Sequence, residues 1–233
     1  GNSRPFVCHF KAISIDLGKG NDMSDGSSLE VWFEFASTYS YIACSRLAHL
    51  SASGQAPTIV WKPFLLGPIF AAQGWTTSPF LVYESKGRYM WRDMERLCAD
   101  HGLPFRRPEI FPQNSVLAAR VACVGEGQDW LPGFCDAVYR ANFGHGQDIS
   151  DPCVLRDILN GLGATAHTTL EEAQAPENKH LLRGNTEEAI RRGVFGAPTL
   201  FANTPDGGSE MFWGADRLDR ALAWIGWTPP EAA

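Results

Sequence analysis

No two of the six cysteines (Cys8, Cys44, Cys98, Cys123, Cys135, Cys153) form a C-x-x-C, and none stands at zinc-ligand spacing from a histidine. Dithiol exchange and a structural zinc site therefore lack their usual signatures. The histidines (His9, His49, His101, His145, His167, His180) are dispersed, so no metal is expected. No run approaches 18 apolar residues, which argues against a membrane-crossing helix. Basic excess is missing too: the formal charge of −6 disfavours nucleic acid or an anionic membrane as partner. Gly18-Lys19-Gly20 has no helical pattern behind it and is not a phosphate loop. Residues Gly1–Ser28 hold only scattered apolar side chains, without the centre of a secretory signal. They read as an extension, disordered or vector-derived, with Met23 a candidate native start. Most cysteines lie among helix-patterned apolar residues, as small buried hydrophobes would, and free thiols suit a reducing cytosol.

What is present is enough chain, 233 residues, for one large domain or a small domain with an insertion. Leu29–Phe35 is β-branched and aromatic, a strand. From Thr38 to about Ala52 the apolar positions fall at helical spacing, and Thr58–Phe64 reads as a second strand. Two strands flanking a helix imply a parallel βαβ unit. From Gly67 to Arg192 strand alternation gives way to helical segments at Arg88–His101, Ser115–Gly125, Trp130–Asn142, Pro152–Leu162, Leu170–Gln174 and Pro176–Arg192. Asn114 or Ser115 can cap one of these, and Asp151-Pro152 places proline in a first turn. Strand character returns at Thr199–Asn203, followed by a turn at Thr204–Gly208, a return strand at Glu210–Trp213 and a last helix through Ile225. The fold class is therefore α/β. Residues 29–66 and 193–228 form one β-α-β…β-β-α domain, and residues 67–192 are an all-helical insertion.

Ser37 sits where a strand runs into a helix, beside free backbone N–H groups and the positive end of the helix dipole. Ser37 or Thr38 caps the helix, the commoner role, or Ser37 holds an anion there. In a thioredoxin-type arrangement the loop Phe195–Thr199 faces this helix start through a cis Ala197–Pro198 bond. Serines at 37 and 40 then replace the expected thiols. Such a site suits a thiol supplied by a cofactor, and glutathione is the candidate. A hydroxyl donating to sulfur raises the ionised fraction of a thiol whose ordinary pKa is about 8.5. A cis bond turns the Ala197 backbone toward the cleft, where it can pair with a tripeptide. Asp216 caps the last helix or receives an ammonium, and Arg217 can receive a carboxylate. Lys86, Arg88, Tyr89 and Arg92 cluster basic and aromatic groups at a helix start, which the dipole disfavours unless an anion is met. Trp75, Phe80, Tyr83 and Trp91 are pocket walls or core.

Ser37-Thr38-Tyr39-Ser40-Tyr41, the helical insertion, Gly196-Ala197-Pro198-Thr199 and Phe212-Trp213-Gly214-Ala215-Asp216-Arg217-Leu218 together resemble 2-hydroxychromene-2-carboxylate isomerases. These are related to kappa-class glutathione transferases in the DsbA-like branch of thioredoxin folds. Lys62–Phe70 and Lys86-Gly87-Arg88-Tyr89 look like segments of the same family, and the likeness runs from about Leu29 to Trp227. It implies a thioredoxin-like domain with a helical insertion and a glutathione-dependent cis–trans isomerase of aromatic catabolites. By the resemblance Ser37 is catalytic, and Ala197, Pro198, Asp216, Arg217, Lys86 and Tyr89 bind glutathione. The implied reaction is reversible addition of the glutathione thiolate to the conjugated bond of an opened chromene, rotation, and expulsion. Lys86, Arg88 or Arg92 would anchor the substrate carboxylate and stabilise the enolate. A cytoplasmic homodimer is the further implication. Thr38 stands where the family usually has proline, Ala215 where kappa enzymes place a serine, and Trp75 where an asparagine near the ligand is common. A kappa-like transferase or peroxidase and a non-catalytic thioredoxin-like binding protein are the alternatives.

Overall fold

The computed structural model describes residues 26–228, so the expectations for Cys8, Met23 and nearly all of the N-terminal extension lie outside it. Four strands, β1 (Ser28–Phe33), β2 (Ile59–Pro63), β3 (Thr199–Asn203) and β4 (Ser209–Trp213), form one sheet in the order β2-β1-β3-β4. β1 and β2 are parallel with Val31 opposite Trp61, while β3 runs antiparallel to both β1 and β4. The parallel pair is joined by α1 (Thr38–Ala52), as the sequence pattern requires. Side chains alternate across β1. Leu29, Val31 and Phe33 enter the main core, and Trp32 packs on the other face with Phe64, Ile69 and Phe201. β4 is the exposed edge.

Between β2 and β3 the chain is helical: α2 (Leu66–Ala72), α3 (Pro79–Val82), α4 (Glu84–Asp100), α5 (Val116–Val124), α6 (Leu131–Tyr139), α7 (Pro152–Gly161), α8 (Ala166–Gln174) and α9 (Pro176–Arg191). A π-helical turn, Arg140–Gly144, extends α6. A 3₁₀ turn, Ala215–Arg217, precedes α10 (Leu218–Trp224). Helices α2 and α3 differ from the sequence expectation, which had no helix between Phe64 and Arg88. Leu65, at the N-cap of α2, has no capping side chain, and α3 is a single turn begun by Ser78-Pro79.

The thioredoxin-like part and the helical segment share one buried cluster. α1 packs on α6, with Tyr41 stacked on Tyr139 at 6.0 Å and Phe35 5.1 Å from the same ring. Between the two helices Asp136 accepts from Ser45 and from Arg140 Nε, the latter at 2.7 Å. No helix among the described residues is long and apolar enough to cross a membrane.

Candidate active site

β1 ends in a turn, Glu34–Ser37, closed by the Ser37 N–H donating to the Glu34 carbonyl at 2.9 Å. Ser37 is the N-cap of α1: its backbone is extended and its oxygen accepts the Ser40 N–H at 3.3 Å. The same hydroxyl donates to the Ala197 carbonyl at 2.9 Å, across 160 positions of sequence. The Ala197–Pro198 bond is cis. Ser37 thus takes the capping role, while the proton of its half-buried hydroxyl is directed at the Ala197 loop.

The loop carrying Ala197 is held from both sides. Thr199 Oγ1 donates to the Gly196 carbonyl at 2.7 Å, and the Gly214 N–H to the Pro198 carbonyl at 3.0 Å. Phe195 and Trp213 flank it, 45% and 53% exposed, their rings 4.9 Å apart. Gly196 lies so close under Trp213 that an added Cβ would be 2.5 Å from the indole nitrogen.

Helix α4 and the 3₁₀ turn also pack against α1. Tyr39 Oη donates to Asp93 Oδ2 at 3.0 Å. Burial, the Asp93 carboxylate, and then Tyr89 and Asp216 hold the Tyr39 hydroxyl well above its ordinary range, so it stays protonated. That coupling puts Tyr89 and Asp216 in the neighbourhood of Tyr39. The Phe80 ring lies 6.2 Å from Tyr39 and carries the Lys86 ammonium 5.5 Å above it. Lys86, Tyr89 and Asp93 therefore line the flank of α4 that faces the Ser37 end of α1.

Arg88 and Arg92 do not join them. At about 100° per residue they fall on the opposite flank of α4, exposed and paired with Glu84 and Glu95. The helical register that brings Lys86 and Asp93 to the site turns these two arginines away. Trp75 packs on Phe70 at 5.7 Å. Trp91 is core, against Phe105 and Phe111. Of the two roles open to Asp216, it does not take that of capping the last helix. Gly214, at φ 110°, opens a 3₁₀ turn first, so Arg217 becomes the N-cap of α10 and Asp216 stays exposed with Arg217 at 3.6 Å.

Four of the described thiols are poorly placed for thiolate chemistry. Cys44, Cys98, Cys123 and Cys135 are buried, and burial pushes Cys98 up to about 11, Cys123 to about 12, and Cys44 and Cys135 well above the ordinary thiol range. Sequence reasoning passed over Glu34, Tyr39, Asp93, Phe195 and Trp213. Tyr39, Phe195 and Trp213 carried a signal, their positions within the Ser-Thr-Tyr-Ser, Phe195–Thr199 and Phe212–Leu218 segments, and Glu34 and Asp93 carried none.

The family profile of DSBA-like thioredoxin domains matches residues 28–225. The 2-hydroxychromene-2-carboxylate isomerase of Sphingobium xenophagum is 30% identical over 192 residues, 82% of this chain and 94% of that protein. Human glutathione S-transferase kappa 1 is 25% identical over 218 residues, covering 87% and 95%. A solved structure of a 2-hydroxychromene-2-carboxylate isomerase superposes with a TM-score of 0.72 at 25% identity, covering 85% of this chain and 94% of the other. With the DsbA-type sheet, the helical segment and the Ser37–Ala197 contact in place, the chain belongs to the DSBA-like thioredoxin family, among the 2-hydroxychromene-2-carboxylate isomerases and their kappa-class relatives.

Proposed function

We propose that the protein is a glutathione-dependent cis–trans isomerase of 2-hydroxychromene-2-carboxylate-type aromatic catabolites, with Ser37 as its catalytic residue. The observation that carries this reading is the 2.9 Å contact of the Ser37 hydroxyl with the Ala197 carbonyl at the N-terminus of α1, where serines occupy both 37 and 40. The donor set fits a zwitterionic tripeptide: charges of both signs, on Lys86 and on Asp216 with Arg217, lie on elements that pack against α1. Glutathione, when bound, supplies a sulfur nucleophile able to add reversibly to a conjugated double bond.

The chain's own groups have separable tasks. Ser37, with the N-terminal N–H groups of α1, favours the sulfur anion over the neutral thiol. To do so its hydroxyl rotates from the Ala197 carbonyl, which is then released to accept from a peptide backbone. Lys86, on the site flank of α4, is the cation placed to meet a carboxylate or a developing enolate oxygen. Phe195, Trp213 and Phe80 offer apolar surface to an aromatic substrate. The reading carries with it the cytoplasmic homodimer implied by the resemblance.

Isomerisation measured with and without glutathione, in wild type and Ser37→Ala, tests it. Wild type should depend on glutathione, and Ser37→Ala should lose about 10²-fold or more in kcat while keeping its fold. Equal rates without glutathione, or an unimpaired variant, would overturn the proposal. Conjugation of a standard electrophile without isomerisation would favour the kappa-transferase reading, which the 25% identity to human glutathione S-transferase kappa 1 keeps open.

A further inference from the structure

Directly beneath the Ser37 turn lies a carboxyl that the proposed reaction does not use. Glu34 is 5% exposed. Its Oε1 accepts the Ala36 N–H at 3.3 Å and the Ser115 hydroxyl, and its Oε2 accepts the Leu66 N–H at 3.0 Å. Its backbone carbonyl takes the Ser37 N–H and the Tyr139 hydroxyl, each at 2.9 Å. The next carbonyl, of Phe35, accepts Asn142 Nδ2 at 3.1 Å from the π-helical turn. Each residue of the turn before Ser37 is thus fixed by a bond to Glu34 or from the helical segment.

Two details distinguish this from ordinary filling of a buried space. Leu66 opens α2, whose N-cap Leu65 offers no acceptor, so the Glu34 carboxyl caps that helix from another element. Ser115 occupies the N-cap of α5 but directs its hydroxyl at Glu34, and Asn114 caps in its place by accepting the Val116 N–H at 3.1 Å. The starts of α1, α2 and α5 therefore meet at one side chain. Burying a carboxyl is unfavourable, and apolar residues of similar volume are often at least as stabilising.

We propose that Glu34 is a positioning residue for Ser37: its carboxyl fixes the turn that presents the hydroxyl and ties that turn to the starts of α2 and α5. The inference rests on the reading of Ser37 as the partner of a glutathione sulfur. Three donors converge on the carboxyl, two of them backbone N–H groups that cannot reverse. A glutamine amide has one acceptor end, so either orientation sets its NH₂ against an N–H.

The test is ultraviolet titration of the thiolate of glutathione bound to four folded proteins: wild type, Glu34→Gln, Ser37→Ala and the double variant. Glu34→Gln should raise the pKa of the bound thiol by about one unit, the worth of one weakened hydrogen bond to an anion. In the Ser37→Ala background it should add nothing, because it acts through that hydroxyl. An unchanged pKa, a fall (Glu34 acting by its charge), or a full effect added to that of Ser37→Ala would each overturn the inference. Should Glu34→Gln not fold, Ser115→Ala removes one tie and leaves both N–H bonds. It should shift the pKa in the same direction by less, and no shift counts against the proposal. A wild-type pKa equal to that of free glutathione defeats the underlying reading of Ser37, and this inference with it. That result is distinct from a shifted wild type that Glu34→Gln leaves unmoved.

Discussion

A serine hydroxyl has one proton to donate, and in this structure Ser37 gives it to Ala197. The geometry of the loop behind that carbonyl therefore governs the site as directly as the serine does. Gly196 is the position where this can be probed without removing a polar group. A methyl there would lie 2.5 Å from Trp213 Nε1 and 3.1 Å from the next indole carbon, a rigid ring rather than a flexible tip. Either the Trp213 ring leaves its place on Phe195, or the loop carrying Ala197 retreats. Gly196→Ala is expected to lose about 1–3 kcal/mol of stability, as overpacked sites do, and to weaken glutathione binding measured by calorimetry. Wild-type stability and affinity in that variant would show that the close approach has no consequence.

Among the helices, α7 is the simplest case of local control. Asp151 accepts the Cys153 N–H at 2.8 Å and Pro152 fills the first turn. Asp151→Ala should cost about 1 kcal/mol in denaturant unfolding, with kcat unchanged because α7 packs mainly on α8 and α6. A drop in kcat would mean that α7 transmits to the site. This helix was legible in the sequence because its start signal is contained in two adjacent residues. The meeting of Ser37 with Ala197 was legible for a similar reason, a strand running into a helix and a proline opening another strand. Helix α2 was not, since the acceptor at its start comes from Glu34, 32 positions away. Nor was the role of Glu34, because one acid at the end of an apolar strand looks like an ordinary polar interruption. The flank of α4 that faces α1 is settled by Tyr39 and Asp93, so local clustering alone grouped Arg88 and Arg92 with Lys86.

At the scale of the whole molecule, the thioredoxin-like part and the helical segment have no separate interiors. The main cluster runs from Leu29 and Val31 through Tyr41 and Leu47 to Phe134, Tyr139 and Leu159, and returns through Leu200 to Leu222. Polar ties cross the same boundary: Tyr41 Oη donates to the Pro104 carbonyl at 2.9 Å, and Tyr139 Oη to the Glu34 carbonyl at 2.9 Å. Removing either part would expose the apolar face of the other, so partial unfolding has no stable product. The chain should melt in one transition, with calorimetric and van't Hoff enthalpies equal. Tryptophan fluorescence and far-ultraviolet dichroism should coincide, since tryptophans occupy both parts, Trp32 and Trp61 in the sheet and Trp91 and Trp130 among the helices. Tyr139→Phe, which leaves the buried Glu34 carbonyl with one donor fewer, should lower that single midpoint by about 1–2 kcal/mol of stability without splitting it. Two resolved transitions, in wild type or in Tyr139→Phe, would mean that the helical segment folds on its own and that Ser37 is held by an interface rather than by a core.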